Sequence, residues 1–414
     1  MKRLFIILIG TLLIQAILMP ALRASSLSPE DFGGVGDGVN DDAPAFNKCI
    51  SSGKPVELKR GKIYLLKSRL EGITADRFVL KGNGACVVVD ADYPLRQHDN
   101  IFCFCDGSYT REYFKISDLK VIFLPGKKFS DKFAIGDTFC FNAENCSVVI
   151  FNNVSFEAPS LYNNVTFFST FGVRKLKLKY CVVKINTLSK QGGAVWLMNK
   201  YSPKTDVRIQ NCSFEHDTWD ECICFAASDL SGPESSKIRA VVRDCKFISA
   251  CKSESSGFVI VYNHYPSFAN IRTSFFGCVF QAKGKNPRKI VSYQTGADPS
   301  IRYGVMRTTF RNCDFSYDSE IEGDSGLLSL GGISDTTYED FLFDFKNCRF
   351  KIRNIHPLIG DKDGSRMGRY VLTNCTIDSD SDPFKKYYNV PTSEIYVSIN
   401  GREKRLSDES SVMQ

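Results

Sequence analysis

The sequence predicts an all-β solenoid of about ten coils, built from parallel strands. Three observations carry that reading. A strand-like segment recurs at a nearly fixed interval, each copy breaks at one residue in the same place, and a second apolar strand follows each copy. Anchored on Cys86, Leu119, Val154, Cys181, Cys212, Cys245, Cys278, Cys313, Cys348 and Cys375, the copies are spaced by 33, 35, 27, 31, 33, 33, 35, 35 and 27 residues. A β-rich repeat of this length stacks into a solenoid, so the length prior that would divide 414 residues into two or three globular domains does not apply.

Residues 1–26 read as a secretory signal: Lys2 and Arg3, an apolar run from Leu4 to Met19, then Pro20 and the small residues Ala24, Ser25 and Ser26. The expectation is an exported protein, secreted or periplasmic, with no stable membrane insertion once the signal is removed. A retained anchor is the alternative, disfavoured because no charged stop-transfer segment follows. The β-helix domain is expected over residues 27–379, and a terminal cap with a polar tail over residues 380–414. That tail holds one strand-like run, Glu394-Ile395-Tyr396-Val397. Net charge is +7, of which +4 remains without Lys2, Arg3 and Arg23; the excess looks mild and scattered. It suits an anionic glycan and does not argue for nucleic acid.

Within a coil, Val207-Arg208-Ile209-Gln210 alternates as a strand, Asn211 interrupts it, and Cys212-Ser213-Phe214 resumes with Cys and Phe on one face. Asparagine tolerates the left-handed conformation of a one-residue bend, so Asn211, Asn312, Asn347 and Asn374 are expected to stack as a ladder. The glycosylation patterns at Asn145, Asn153, Asn164, Asn211 and Asn374 are read as by-products of such bends. The second strands begin at Ile101, Thr138, Val165, Ala194, Cys222, Phe258, Ile290 and Leu327. Length varies mostly in the loop before them, the side where a solenoid commonly builds its binding face.

Sixteen cysteines in an exported chain ordinarily suggest a disulfide framework. Here eight of them (Cys86, Cys181, Cys212, Cys245, Cys278, Cys313, Cys348 and Cys375) hold the same repeat position, and a reduced internal ladder is the preferred reading. Cys103-x-Cys105 and Cys222-x-Cys224 are read as packing residues, because no matching His-Cys set for zinc accompanies them.

The stretch Asp31-Phe32-Gly33-Gly34-Val35-Gly36-Asp37-Gly38-Val39-Asn40-Asp41-Asp42-Ala43-Pro44-Ala45-Phe46 resembles the opening signature of the pectate-lyase-like superfamily, including rhamnogalacturonase-like, epimerase-like and tailspike members. Pro44 near the usual Thr is a departure. The resemblance implies a right-handed single-stranded parallel β-helix with a capping helix at residues 42–51, where Pro44 suits the first turn and Asp41 or Asp42 the cap. It makes the signature structural. It also implies activity on acidic polysaccharides, by β-elimination or hydrolysis, on the outer face of one sheet and its loops.

Candidate chemistry concentrates in Glu215, His216, Asp217, Trp219, Asp220 and Glu221, in the loop leading to the strand at Cys222. Two carboxylates could act as acid and base, His216 could move a proton, and Trp219 could stack on a sugar; a solvated acidic loop is the competing reading. Parity exposes Trp196 and, on neighbouring rungs, Tyr262, His264, Lys289 and Tyr293. Such a strip could hold an anionic sugar chain, with Lys289 or Arg288 as base or charge neutraliser, or could simply lie beneath a long loop. Asp318, Glu320, Glu322 and Asp324 form a set able to hold calcium, with a solvated turn as the alternative. The chain lacks the Gly-His-Gly and Arg-Ile-Lys elements of polygalacturonase-like hydrolases and the Asp-Pro-His-Glu element of alginate epimerases. The resemblance therefore assigns no catalytic set. A lyase or glycoside hydrolase is the leading expectation, and a non-catalytic carbohydrate-binding or adhesion solenoid the alternative.

Overall fold

The computed structural model describes residues 25–93, 100–104, 110–124, 138–159, 165–186, 192–199, 204–218, 221–227, 236–250, 257–263, 269–284, 290–295, 304–319, 328–331, 340–353, 369–380, 396–399 and 402–405. The expected leader lies outside these residues, apart from Ser25 and Ser26. Among them no helix is long and apolar enough to cross a membrane.

The N-terminal signature folds as a cap. Helix α1 (Ala43–Ser51) buries Phe46, Cys49 and Ile50 against the first coil. Asp41 Oδ1 accepts from the amides of Ala43 and Lys67, and its Oδ2 accepts from the Ser68 hydroxyl at 2.6 Å. Asp42 does a different job. Its Oδ1 accepts from the amides of Val35 and Gly36 and its Oδ2 from that of Leu65, so one buried carboxylate stitches the glycine-rich segment to the strand Ile63–Leu66. Each carboxylate is satisfied by groups of the chain itself, which makes the signature structural.

Beyond the cap the chain winds as a right-handed parallel β-helix, the sense in which parallel crossovers close in about 98% of cases. Sheet 1 comprises the strands before the bend, among them Val173–Lys179, Lys204–Gln210, Ser236–Arg243, Ala269–Phe276 and Gly304–Arg311. Sheet 2 comprises those after it, among them Val182–Asn186, Ser213–His216, Lys246–Ser249, Val279–Gly284, Asp314–Ser319 and Arg349–Arg353. Sheet 3 stacks Asn100–Phe104, Thr138–Ala143, Val165–Thr170, Val195–Met198, Ile223–Ala227, Val259–Asn263, Val291–Thr295 and Leu328–Gly331. All pairings within these three sheets are parallel.

The bend between sheets 1 and 2 has a column of left-handed residues: Asn83, Asp118, Asn153, Tyr180, Asn211, Asp244, Gly277, Asn312, Asn347 and Asn374, with φ between 50 and 60°. Backbone bonding continues through it, from Asn211 N to Arg243 O at 3.0 Å and from Asn312 N to Lys346 O at 3.0 Å. Asn347 donates its amide to Asn312 at 3.2 Å, as the expected ladder requires. Asp118 and Asp244 join the column because Asp shares the αL tolerance of Asn, and Gly277 because it has no Cβ.

Inside, two columns repeat. Cys181, Cys212, Cys245, Cys278, Cys313 and Cys348 are buried and stacked, with the Cys181 and Cys212 amides 3.4 Å from the sulfur one coil on. The described cysteines are free thiols. Next to them run Phe214, Phe247, Phe280, Phe315 and Phe350, rings 4.7 to 5.1 Å apart and near parallel. Cys86 departs from expectation. Gly84 adds a residue to the bend at Asn83, shifting the register between Lys81 and Ala85, so Ala85 takes the core position and Cys86 pairs with Lys120 on the outer side. At the C-terminus Tyr396–Ile399 and Arg402–Arg405 form an antiparallel hairpin, its first strand beside Arg369–Thr373.

Candidate functional site

The segment from Glu215 leads the chain out of sheet 2 toward sheet 3, and its residues part company. Glu215 alternates with inward Phe214 and therefore faces out of sheet 2, exposed, with Lys184 Nζ 3.8 Å away. His216 points in and is 1% exposed. Its Nε2 lies 2.7 Å from the carbonyl oxygen of Gly192, and the Thr218 hydroxyl donates to the same oxygen at 2.7 Å. A carbonyl only accepts, so the proton is on Nε2. The position expected to move protons for a substrate is thus committed to holding one coil to the next. Asp217 is buried too, its amide donating to Ile185 O at 2.8 Å.

Two glycines make this clamp possible. Gly192 has φ +134°, and a Cβ there would sit 2.6 Å from Val165 O; a Cβ on Gly193 would sit 2.8 Å from Glu221 O. Three successive coils therefore approach closely, and Glu221, half-buried, is delivered to the margin of sheet 3.

On the outer face of sheet 3, Trp196 stands in register with Ser169 and Cys224, and Met198 with Ala226. Trp196 is half-buried, packed with Met198 on Cys224 and Ala226, and set edge-on to Phe139 at 6.2 Å. Its ring is fixed by this packing while part of it stays open. Cys222 and Cys224 are buried and pack, as expected. Tyr262 lies on Val259–Asn263 in register with Ala226 and Gln294.

Tyr293 corrects the parity argument. It shares the register of inward Val261 and is fully buried, with its ring 4.3 Å from that of Phe343. Its hydroxyl donates to Thr308 Oγ1 at 2.7 Å, which lets a tyrosine fill a core position. It cannot touch a substrate on the outer face. Asp318 lies 3.9 Å from Lys283 Nζ. Trp219, Asp220, His264, Arg288, Lys289, Glu320, Glu322 and Asp324 lie outside the described residues, among which no cluster of potential metal ligands occurs. Sequence reasoning missed Phe139 and Met198, the aromatic and thioether neighbours of Trp196; the alternation in 138–141 was the signal for the first.

Sheets 1 and 2 differ in charge. The outer face of sheet 2 mixes signs in coil-to-coil pairs: Lys120 with Glu157, Lys184 with Glu215, and Arg349 bidentate on Asp314. The five named strands of sheet 1 contain twelve Lys and Arg and one carboxylate, Asp206.

No protein-family model matches the chain, and no curated protein matches it. Among solved structures it is similar to ORF18 of Geobacillus virus E2, at 14% identity and TM-score 0.48, over 92% of this chain; the chain spans 62% of that protein's length. It is similar to the endo-xylogalacturonan hydrolase of Aspergillus tubingensis, at 13% identity and TM-score 0.46, over 90% of this chain and 95% of the other. It is also similar to PfbA, a surface adhesin of Streptococcus pneumoniae, at 14% identity and TM-score 0.37, over 93% and 96%. At these values the similarity transfers neither activity nor substrate. The chain is a right-handed parallel β-helix, the fold that its opening signature implies.

Proposed function

We propose that the protein is an exported polysaccharide-active β-helix that engages an acidic glycan on the outer face of sheet 3, as a lyase or a glycoside hydrolase. The observation that supports this most directly is Trp196, an indole immobilised against Phe139, Met198 and Cys224 with part of its face open. A rigid aromatic of this kind is suited to stacking on a pyranose, because little conformational entropy is lost when it binds. Glu221 at the same margin is proposed as the acid or base, with Asp220, His264, Arg288 and Lys289 as its partners and Tyr262 and Trp219 as further contacts.

The burial of His216 and Asp217, with Glu215 turned onto sheet 2, favours a second reading: a non-catalytic carbohydrate-binding solenoid. The test is incubation with a panel of acidic and neutral polysaccharides, with and without calcium, following unsaturated products by absorbance and new reducing ends chemically. Unsaturated product defines a lyase, and reducing ends alone a hydrolase whose rate should collapse in Glu221→Gln. Binding without product, lost in Trp196→Ala, establishes the second reading. A Trp196→Ala protein that still binds and cleaves at the original rate refutes both.

A further inference from the structure

The twelve cations of the five sheet 1 strands Val173–Lys179, Lys204–Gln210, Ser236–Arg243, Ala269–Phe276 and Gly304–Arg311, against one carboxylate, give net +11, while the whole chain is +7. The rest of the sequence is accordingly net −4, so these five strands carry the net positive charge; the next strand of the sheet, Asp340–Lys346, ends the basic run, its Asp344 paired with Arg311. Nine of the twelve are exposed and none is buried. Register aligns them: Lys175, Asp206, Arg239, Arg272 and Arg307 are successive partners across five adjacent strands, and Lys177 is paired with Arg208 one column over. Like charges directly opposite each other on a sheet repel. Sheet 2 avoids that arrangement by alternating signs, so the solenoid does not impose it.

We propose that the outer face of sheet 1 binds a linear polyuronate lying along the solenoid axis, its carboxylates taken in turn by Lys175, Arg239, Arg272 and Arg307, with Arg208 and Arg243 alongside. Adjacent strands are ~4.8 Å apart, so Arg239, Arg272 and Arg307 stand one coil apart over ~10 Å, with Lys175 two coils before Arg239 across Asp206. A chain of uronic acids bears one carboxylate per sugar ring, a repeat of the same order. Duplex DNA, with one charge per ~1.7 Å, would place roughly three phosphates against each coil. The guanidinium fork suits a carboxylate, which it can bind with two parallel hydrogen bonds. The described aromatics of this face do not form a stacking platform: Phe276 lies under Arg243 at 4.4 Å, and Tyr113 under Arg77 at 5.5 Å. This surface is separate from the sheet 3 site and does not depend on it.

The test measures binding of the full chain to polygalacturonate, to dextran of similar length, to a single-stranded oligonucleotide and to phosphatidylserine vesicles. Polygalacturonate should bind with an affinity that falls steeply with salt, and dextran should not bind. Arg239→Gln/Arg272→Gln should weaken polygalacturonate binding at least tenfold and flatten its salt dependence, while Lys246→Gln/Lys351→Gln on sheet 2 leaves it unchanged. Should the double variant fail to fold, wild-type protein modified with phenylglyoxal reports the same surface: polygalacturonate should protect Arg239 and Arg272, and dextran should not. Unaltered binding in the folded double variant, no protection, or tighter binding to the oligonucleotide or the vesicles than to polygalacturonate overturns the proposal. Loss of sheet 3 activity in Trp196→Ala with polygalacturonate binding retained would separate the two surfaces.

Discussion

Replacing Phe280 by Ala removes the middle of the aromatic column. Phe280 is fully buried, stacked on Phe247 at 4.7 Å and on Phe315 at 5.0 Å, and met edge-on by Phe275 and Phe310. Loss of a buried Phe to Ala costs about 3–5 kcal/mol, and the amount depends on how far the surroundings can close. Here they cannot close far. Phe247 and Phe315 are held by their own backbone ladders, on strands fixed at one rise apart, so the cavity persists and the cost should be about 4–5 kcal/mol. Phe350 is the control. It stacks on Phe315 on one side and meets only partly buried Ile377 on the other, near the end of the solenoid, so Phe350→Ala should cost about 2–3 kcal/mol. For a chain of this length the unfolding entropy is ~0.8 kcal/mol per degree, giving shifts of about 5–6 °C and about 3 °C in Tm. Differential scanning calorimetry of both variants reads the difference. A loss at Phe280 no larger than that at Phe350 would refute the claim that the backbone ladder keeps the cavity open.

Four further outcomes are expected. Arg272→Gln should raise stability by ~1 kcal/mol at low ionic strength, because Arg239 and Arg307 each repel it by about 0.8 kcal/mol at ~5 Å in water, and the gain should vanish in high salt; urea midpoints at two salt concentrations check this. Burial raises the Asp41 carboxyl, but the Ser68 hydroxyl and the Lys67 and Ala43 amides outweigh it and hold the group below its ordinary value. That contribution is present above the unfolded value near ~3.9 and is lost as pH falls through the lower folded one, so wild type should lose more stability than Asp41→Asn below pH ~4 in urea titrations. Gly192→Ala should cost about 3 kcal/mol, from its left-handed φ and a Cβ driven onto Val165 O, and should disturb the His216 ring signals in NMR. Thiol alkylation of native protein should reach the partly exposed Cys86, Cys103 and Cys375 well before the buried thiols; burial pushes Cys146 up to about 11 and Cys49 up to about 12, and mass spectrometry before and after denaturation distinguishes the two sets.

Much of the fold was legible because the solenoid's constraints are local. A one-residue bend needs an αL-tolerant side chain, so Asn recurs there; Cys and Phe two positions apart share a face, so the core column shows in the linear pattern. Eight sheet 3 strands were visible for the same reason. The misses arose where a local pattern was interrupted or ambiguous. Gly84 slid Cys86 out of the column by one residue, which in a strand reverses the face. Parity carried over from Trp196 places Tyr293 outside, yet it occupies the place that Leu197 and Phe225 hold in other coils, and Thr308 satisfies its hydroxyl.

What the sequence determined by itself is the repeat, the bend, the inward columns and the structural nature of the opening signature, each set by short-range sterics and the two-residue period of a strand. Only the tertiary structure decided which side chains stand together across 27 to 35 residues of intervening chain. His216 lost its place among solvent-facing groups to the carbonyl of Gly192 one coil away. The charge that looked scattered along the chain became one basic wall, because loop length sets register, and register alone places Arg239, Arg272 and Arg307 in line.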